Sequence, residues 1–304
     1  MNREELLQKW GEENKQKILD GQGHVFLIDV MGDDEAVEAA ARLSYQKGTR
    51  RTSDTRNLLR YMFRKQHATP FEAAVIKLDM KIPIFVARQL VRHRTQALSE
   101  LSARYSILPD EWYTPPAEQI CFQDDKNKQG RSGAFPLDEA NQLRDQMTDE
   151  AADAFATYHQ FLEAGMARET ARMGLPLSTY TRWNTTLSLR NLLHMLGLRL
   201  DPHAQWEARQ VAEAVWQIVQ DWVPLTAEAF VDYQLEAETF SRMDLAMLRD
   251  IVADWKSIQD DLCASEHRDP KAHLDCLISE MFERHGVDNM RERKELLDKL
   301  GLSS

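Results

Sequence analysis

Residues 71–82 read FEAAVIKLDMKI, and this stretch constrains the fold more than any other. Ile76, Leu78, Met80 and Ile82 alternate with Lys77, Asp79 and Lys81. Period-two alternation over this length predicts a strand with one face buried and one face polar. Pro83 follows and is expected to open a helix, IFVARQLVRHR, because proline is tolerated in a first helical turn. Arg88 and Arg92 are four residues apart and share a helical face, with Gln89 and His93 beside them. The predicted helix therefore delivers the stretch RHRTQALSELSARYS, residues 92–106, to one end of the strand. Its three arginines, two central serines and glutamate suit a site for phosphates and a polar ring. Arginine presents a planar fork to phosphate, while serine and glutamate supply short-range donors and acceptors. The plain alternative is a solvated charged helix end.

The rest of the chain reads as helices around such strands. Residues 1–23 look like a polar helical extension. HVFLIDVMG reads as a strand ended by Gly32, with Asp33 or Asp34 capping the helix EAVEAAARLSYQ. In DTRNLLRYMFRKQ, the residues Leu58, Leu59, Met62 and Phe63 make one apolar helix face. Residues 107–135 are rich in Pro, Gly and polar residues and read as a long loop, followed by a helix from Leu137 to Ala164. LSLRNLLHMLGLRL predicts a buried helix interrupted by Arg190, His194 and Arg199, and DPHAQWEARQVAEAVWQIVQDW a long amphipathic one. From residue 237 the sequence turns polar and acidic, with short helices expected. The fold class is α+β, with mixed helices around an antiparallel sheet and a helical C-terminal extension.

Composition narrows the partners. With 38 basic and 49 acidic residues the net charge is −11, which argues against bulk binding to nucleic acid or anionic membrane. The arginines near position 92 are then a local cationic site suited to a small anion. The N-terminus carries no signal-like apolar run, and no apolar stretch is long enough to span a bilayer. Cys121, Cys263 and Cys276 are too few for a secreted disulfide framework, so a cytoplasmic location is expected.

The stretch Asn57 to Ser106 resembles the flavin-dependent thymidylate synthases. That family is recognised by Arg-His-Arg, seven residues, then Ser; here these are Arg92, His93, Arg94 and Ser102. The flanking NLLRY, HATPFE, KIPIFVARQL and SARYS agree with it. So do DVMGDDEAVEAAARLS upstream and ARMGLPLSTYTRW and LRLDPHAQWE downstream. The likeness implies a catalytic domain over residues 24–236, with 237–304 as an extension. It implies conversion of dUMP to dTMP, with methylenetetrahydrofolate as carbon donor and FAD, reduced by NADPH, as hydride carrier. It also implies a homotetramer with sites between subunits. By the same resemblance, Thr69, Arg92, His93, Arg94, Glu100, Ser188, Arg190 and His194 would contact flavin, with His67 near Thr69. Gln89, Leu90, Val91, Arg92, Glu100, Leu101, Ser102, Ala103, Arg104, Arg172 and Arg199 would surround dUMP. Arg199 would be the catalytic group, polarising the uracil ring at N3 and O4.

Three positions depart from the family's common pattern: Ala97 for serine, and Ser99 and Ser188 for asparagine. Ala97 and Ser188 motivate a second reading, a paralogue that modifies another pyrimidine nucleotide. A nucleic-acid-binding module is a third, disfavoured by charge. Ser102 reads as a ligand contact and not a nucleophile, and Cys121 matches no catalytic motif. His203, Gln205, Trp206 and Glu207 read as packing and capping at a helix start. Cys263, His267, His273 and Cys276 have the spacing C-x3-H-x5-H-x2-C, which matches no established zinc pattern, so no metal is expected.

Overall fold

A computed structural model describes residues 1–43 and 54–250, together with 283–284, 294 and 297–299. The chain divides into two units, Met1–Leu235 and Glu236–Ser304.

The first unit is built on a five-stranded antiparallel sheet. Its strands are β1 (Gln16–Ile18), β2 (Gly23–Met31), β3 (Val75–Pro83), β4 (Ala97–Glu100) and β7 (Tyr180–Ser188), in the order β1-β2-β3-β7-β4. The alternation in β3 does what its pattern predicts. Ile76, Leu78, Met80 and Ile82 lie opposite Leu187, Thr185, Trp183 and Thr181 of β7 and face one side. Lys77, Asp79 and Lys81 lie opposite Thr186, Asn184 and Arg182 and face the other. The apolar side forms one core with α4 (Ile84–Leu90), α7 (Leu189–Arg199) and α8 (Trp206–Trp222), through residues such as Val86, Leu90, Leu192, Leu196, Val211 and Val215.

Several expectations need correction. The helix after Pro83 ends at Leu90, so Arg92, His93 and Arg94 lie in turns and not on a helix. Val91 is 43% exposed whereas Leu90 is 1% exposed, so no core contact rewards a further turn. The Gln96 side chain donates to the Leu90 carbonyl at 2.8 Å, and the chain reverses into β4, the sheet edge beside β7. Strand β7 itself was not expected; its signal is the β-branched and aromatic run YTRWNTT. The first 23 residues are only partly helical. After α1 (Arg3–Trp10), β1 pairs with β2, and Leu6 and Ile18 enter the main core. The expected 107–135 loop holds a short hairpin, β5 (Cys121–Gln123) and β6 (Arg131–Ala134).

Other elements follow their signals. Asp33 caps α2 (Asp34–Arg42), accepting from the Ala36 amide at 3.0 Å. Asp34 caps a different helix, α9 (Pro224–Phe230). Its carboxylate accepts from the Leu225 and Thr226 amides at 2.8 and 3.0 Å and from the Thr226 hydroxyl at 2.6 Å. Helix α3 (Thr55–Arg64) is capped by Asp54, and the helix from Leu137 runs to Glu163 as α5. Helix α6 (Arg168–Ala171) follows. In the second unit, residues 242–250 are helical and begin with a reciprocal Ser241–Asp244 cap. The candidate metal residues Cys263, His267, His273 and Cys276 lie outside the described residues. No helix among the described residues is long and apolar enough to cross a membrane.

Candidate functional site

Helix α7 organises one group of predicted residues. Leu189, Leu192, Leu193, Met195 and Leu196 are anchored in the core, so the side chains between them are held in fixed register. Ser188 caps it, accepting weakly from the Asn191 amide at 3.5 Å. Arg190, in the first turn, pairs with Glu72 at 2.5 Å; Glu72 closes the short turn that begins at Thr69. His194 is exposed, and its ring meets that of His93 edge-on at 6.1 Å. Arg199 ends the helix. Its Nε donates to His93 Nε2 at 3.2 Å and one Nη donates to the Gln89 main-chain carbonyl at 3.1 Å. Thr69, Gln89, His93, Ser188, Arg190, His194 and Arg199 thus lie along one path.

The electrostatics of this path are unusual. Burial, then the nearby charge of Arg199 and of His194, push the His93 imidazole down to about 4, so it is neutral at pH 7. A neutral imidazole accepts from Arg199 without cancelling its charge. The other partner is a carbonyl, also neutral. Burial lowers the Arg199 guanidinium from its usual value, yet arginine stays protonated. Arg92 and Arg94 are exposed and have no carboxylate partner among the described residues. Uncompensated guanidinium groups and a neutral imidazole fit a ligand that carries phosphates and a flat polar ring.

A second group lies at the other end of β4. Glu100 is opposite Trp183 and accepts from the Thr181 hydroxyl at 2.6 Å. Ser102 accepts from the Arg104 amide at 3.3 Å, and Arg104 pairs with Glu169 at 3.2 Å on the surface. Arg168 donates to the Tyr105 carbonyl at 2.8 Å, which brings the 168–172 segment and exposed Arg172 alongside. Leu101 is exposed, whereas Leu90 and Ala103 are buried and can offer a ligand only their main chain. Ala97 and Ser99 pair with Thr186 and Asn184 on the strand face opposite Glu100. No hydrogen bond or ion pair among the described residues joins a side chain of this second group to one of the first.

The segment read as packing and capping also carries a buried ion pair. Glu207 of the HAQWE segment is 3% exposed and accepts from Arg131 with both oxygens, at 2.8 and 2.7 Å. Gln205 donates to it at 2.9 Å, and the Gln89 amide donates to Gln205 Oε1. The available signal was an acid at the buried start of an amphipathic helix. Among the described residues no cluster of three or more His, Cys, Asp or Glu is placed to hold a metal.

The family model described as thymidylate synthase complementing protein matches residues 26–225. A flavin-dependent thymidylate synthase of Wolbachia pipientis wMel is 46% identical over 236 residues, spanning 78% of this chain and 83% of the relative. One from Gluconobacter oxydans (strain 621H) is 45% identical over 236 residues, spanning 77% and 78%. Among solved structures, a UMP/dUMP methylase, PolB, from Streptomyces cacaoi bound with 5-Br UMP is similar. It superposes with a TM-score of 0.65 at 35% identity, covering 70% of this chain and 96% of that one.

Proposed function

The chain belongs to the flavin-dependent thymidylate synthases, and from that premise we propose how its residues divide the work. It is a flavin-dependent enzyme that methylates dUMP to dTMP. The flavin is FAD, NADPH reduces it, and methylenetetrahydrofolate donates the carbon. FAD supplies the hydride that completes the methyl group.

The chain's own residues bind, orient and polarise. Arg92 and Arg94 meet phosphate oxygens, with Thr69, Ser188 and Arg190 placing the flavin along α7 beside His93 and His194, and Glu100 lies between flavin and nucleotide in the completed site. Gln89, Ser102, Arg104 and Arg172 hold the nucleotide, helped by the main chain of 90–91 and 101–103. Arg199 does the electronic work. Methylation at C5 of uracil needs electron density at that carbon, and a cation against N3 and O4 stabilises the enolate-like form that provides it. The observation that carries this reading is Arg199 held by two neutral acceptors, with its charge uncancelled.

The separation of the two residue groups supports a site completed by another copy. Leu101, Tyr105, Ile107, Met173 and Leu177 are exposed around the second group, which favours association there. We read the assembly as a homotetramer in the cytoplasm, with residues 24–236 catalytic and 237–304 an extension. Nucleic acid, membrane and metal have no part in it.

An absorbance spectrum of the purified protein tests the reading. It predicts a flavin band that bleaches with NADPH, and dTMP from dUMP and methylenetetrahydrofolate. Colourless protein that FAD cannot reconstitute, or flavoprotein that forms no dTMP, overturns it. The structural neighbour is a methylase of UMP as well as dUMP, which favours running UMP and dCMP in parallel. Methylation of UMP or dCMP at a rate matching dUMP would favour the second reading.

A further inference from the structure

The hairpin β5–β6 lies outside both residue groups, yet its arginine reaches toward the nucleotide side through a continuous hydrogen-bonded chain. Arg131, at the start of β6, grips the buried Glu207 through one Nη that donates to both carboxylate oxygens, at 2.8 and 2.7 Å. The Tyr113 hydroxyl adds a long bond to the same carboxylate at 3.3 Å. Gln205 donates to Glu207 at 2.9 Å, and its Oε1 accepts from Gln89. The main-chain carbonyl of Gln89 holds Arg199 at 3.1 Å.

This chain has a fixed direction. A carboxylate gripped by a guanidinium only accepts, so Gln205 must turn its amide nitrogen toward Glu207. Its oxygen is then left for Gln89, which must also turn its nitrogen inward. One ion pair on a hairpin thereby decides the orientation of an amide two side chains away. Glutamine is otherwise close to symmetric in shape and free to flip.

We propose that Arg131, acting through Glu207 and Gln205, is a positioning residue that fixes the side-chain amide of Gln89 for binding the nucleotide. This rests on the reading above, in which Gln89 belongs to the dUMP site. Without Arg131, Glu207 still accepts but loses the cation that holds its carboxylate in place. Gln205 and Gln89 then lose the fixed placement that suits the ligand. Arg131 touches no ligand itself, so the effect falls on affinity and little on the chemical step.

The test is a series of holoenzyme variants assayed for dUMP KM, kcat and equilibrium dUMP binding, with flavin absorbance and Tm recorded. Arg131→Ala should raise KM and Kd roughly five- to tenfold, the worth of about one well-made hydrogen bond, with kcat within about twofold and flavin content unchanged. Arg131→Lys should recover part of the loss. Gln205→Leu cuts the relay while leaving the Arg131–Glu207 pair intact, so it should reproduce the rise in a folded protein. In a Gln89→Ala background, Arg131→Ala should add nothing further, because the amide it orients is gone. An unchanged KM in Arg131→Ala and Gln205→Leu, or an Arg131→Ala effect that adds in full to Gln89→Ala, overturns the proposal. A lower Tm with unchanged KM does so too, leaving Arg131 a staple for the hairpin. Wild-type protein that binds dUMP without converting it would sink the functional reading alone, and the Kd series would still decide the relay. Failure to bind dUMP at all would sink both.

Discussion

Two histidine–arginine pairs in the first unit handle their charge in opposite ways. On the sheet face away from the helices, His24 and Arg182 both bind one carboxylate, Asp79. The His24 contact is 2.9 Å, and Arg182 reaches both oxygens at 2.9 and 3.0 Å. At the ends of α4 and α7, His93 and Arg199 contact each other directly, with no carboxylate between them. The first arrangement closes its charges on themselves, and Asp79 is 2% exposed beneath it. The second leaves a half-buried guanidinium with its full charge. The same residue types close a structural ion pair in one place and leave a charge open for the proposed chemistry in the other, and the difference is one acid. A buried cation left without a counter-ion costs stability. Its persistence beside Arg92 and Arg94 is explained if an anionic ligand completes the balance.

The comparison breaks most visibly under alanine. Arg199→Ala should lower kcat/KM for dUMP by about 100-fold or more, the scale of a lost transition-state charge contact, with urea stability close to wild type. Asp79→Ala should do the reverse. Removing the shared carboxylate strands two partners and should cost roughly 3 kcal/mol in urea unfolding, while purified protein still binds flavin. If Arg199→Ala destabilises as much as Asp79→Ala does, the contrast between the two pairs is wrong.

Acid sharpens the same contrast with a smaller effect. His93 stays neutral in the fold down to about pH 4, whereas an ordinary histidine titrates near 6.5. Between those values the unfolded chain binds the proton and the folded chain does not. Stability therefore falls as pH drops from 6.5 toward 4, and the contribution is complete above 6.5. Burial alone would raise the Asp79 carboxyl. Its hydrogen bonds from His24 and Arg182, with the charge of Arg182, outweigh that and hold it below its usual 3.8. Its contribution is present above 3.8 and lost only below it. Denaturant midpoints across pH 3–7 should then show His93→Gln flattening the upper part of the curve and Asp79→Asn only the lower part.

How much of this was legible depended on whether a local signal existed. The alternation in β3 exposed both the strand and its two faces, because period two is a local property. The motif residues stood out by type and spacing, and the leucines of α7 marked the helix that carries Arg190, His194 and Arg199. The break after Leu90 was not legible, since it depends on Gln96 bonding back to the Leu90 carbonyl and on β4 finding β7. Asp33 and Asp34 both read as possible caps for α2; Asp33 is that cap, while the role of Asp34, capping a helix that begins at Pro224, was not legible. Glu207 read as packing because its partner, Arg131, is 76 residues away on a hairpin taken for loop. Each failure is a pairing between distant segments, which no window of neighbouring residues contains.

Ionic strength probes the smallest difference between the two pairs. The Debye length is about 10 Å at 0.1 M salt and about 3 Å at 1 M, so exposed charges are screened while buried pairs are screened much less. Arg92 and Arg94 face solvent, and any phosphate they attract must cross it. The Asp79 triad holds its charges in contact, with almost no solvent at the carboxylate. Raising salt from about 0.05 to 0.5 M should therefore raise the KM for dUMP about threefold and leave Tm nearly still. Sodium chloride suits this measurement better than sulfate or phosphate, which would compete for the guanidinium groups and also strengthen burial. A Tm that tracked the KM would mean that the triad is as open to solvent as the motif. A KM indifferent to salt would mean that the motif's arginines are already neutralised within the assembly, for instance by an acid from another copy, and that Arg199 alone keeps an uncancelled charge.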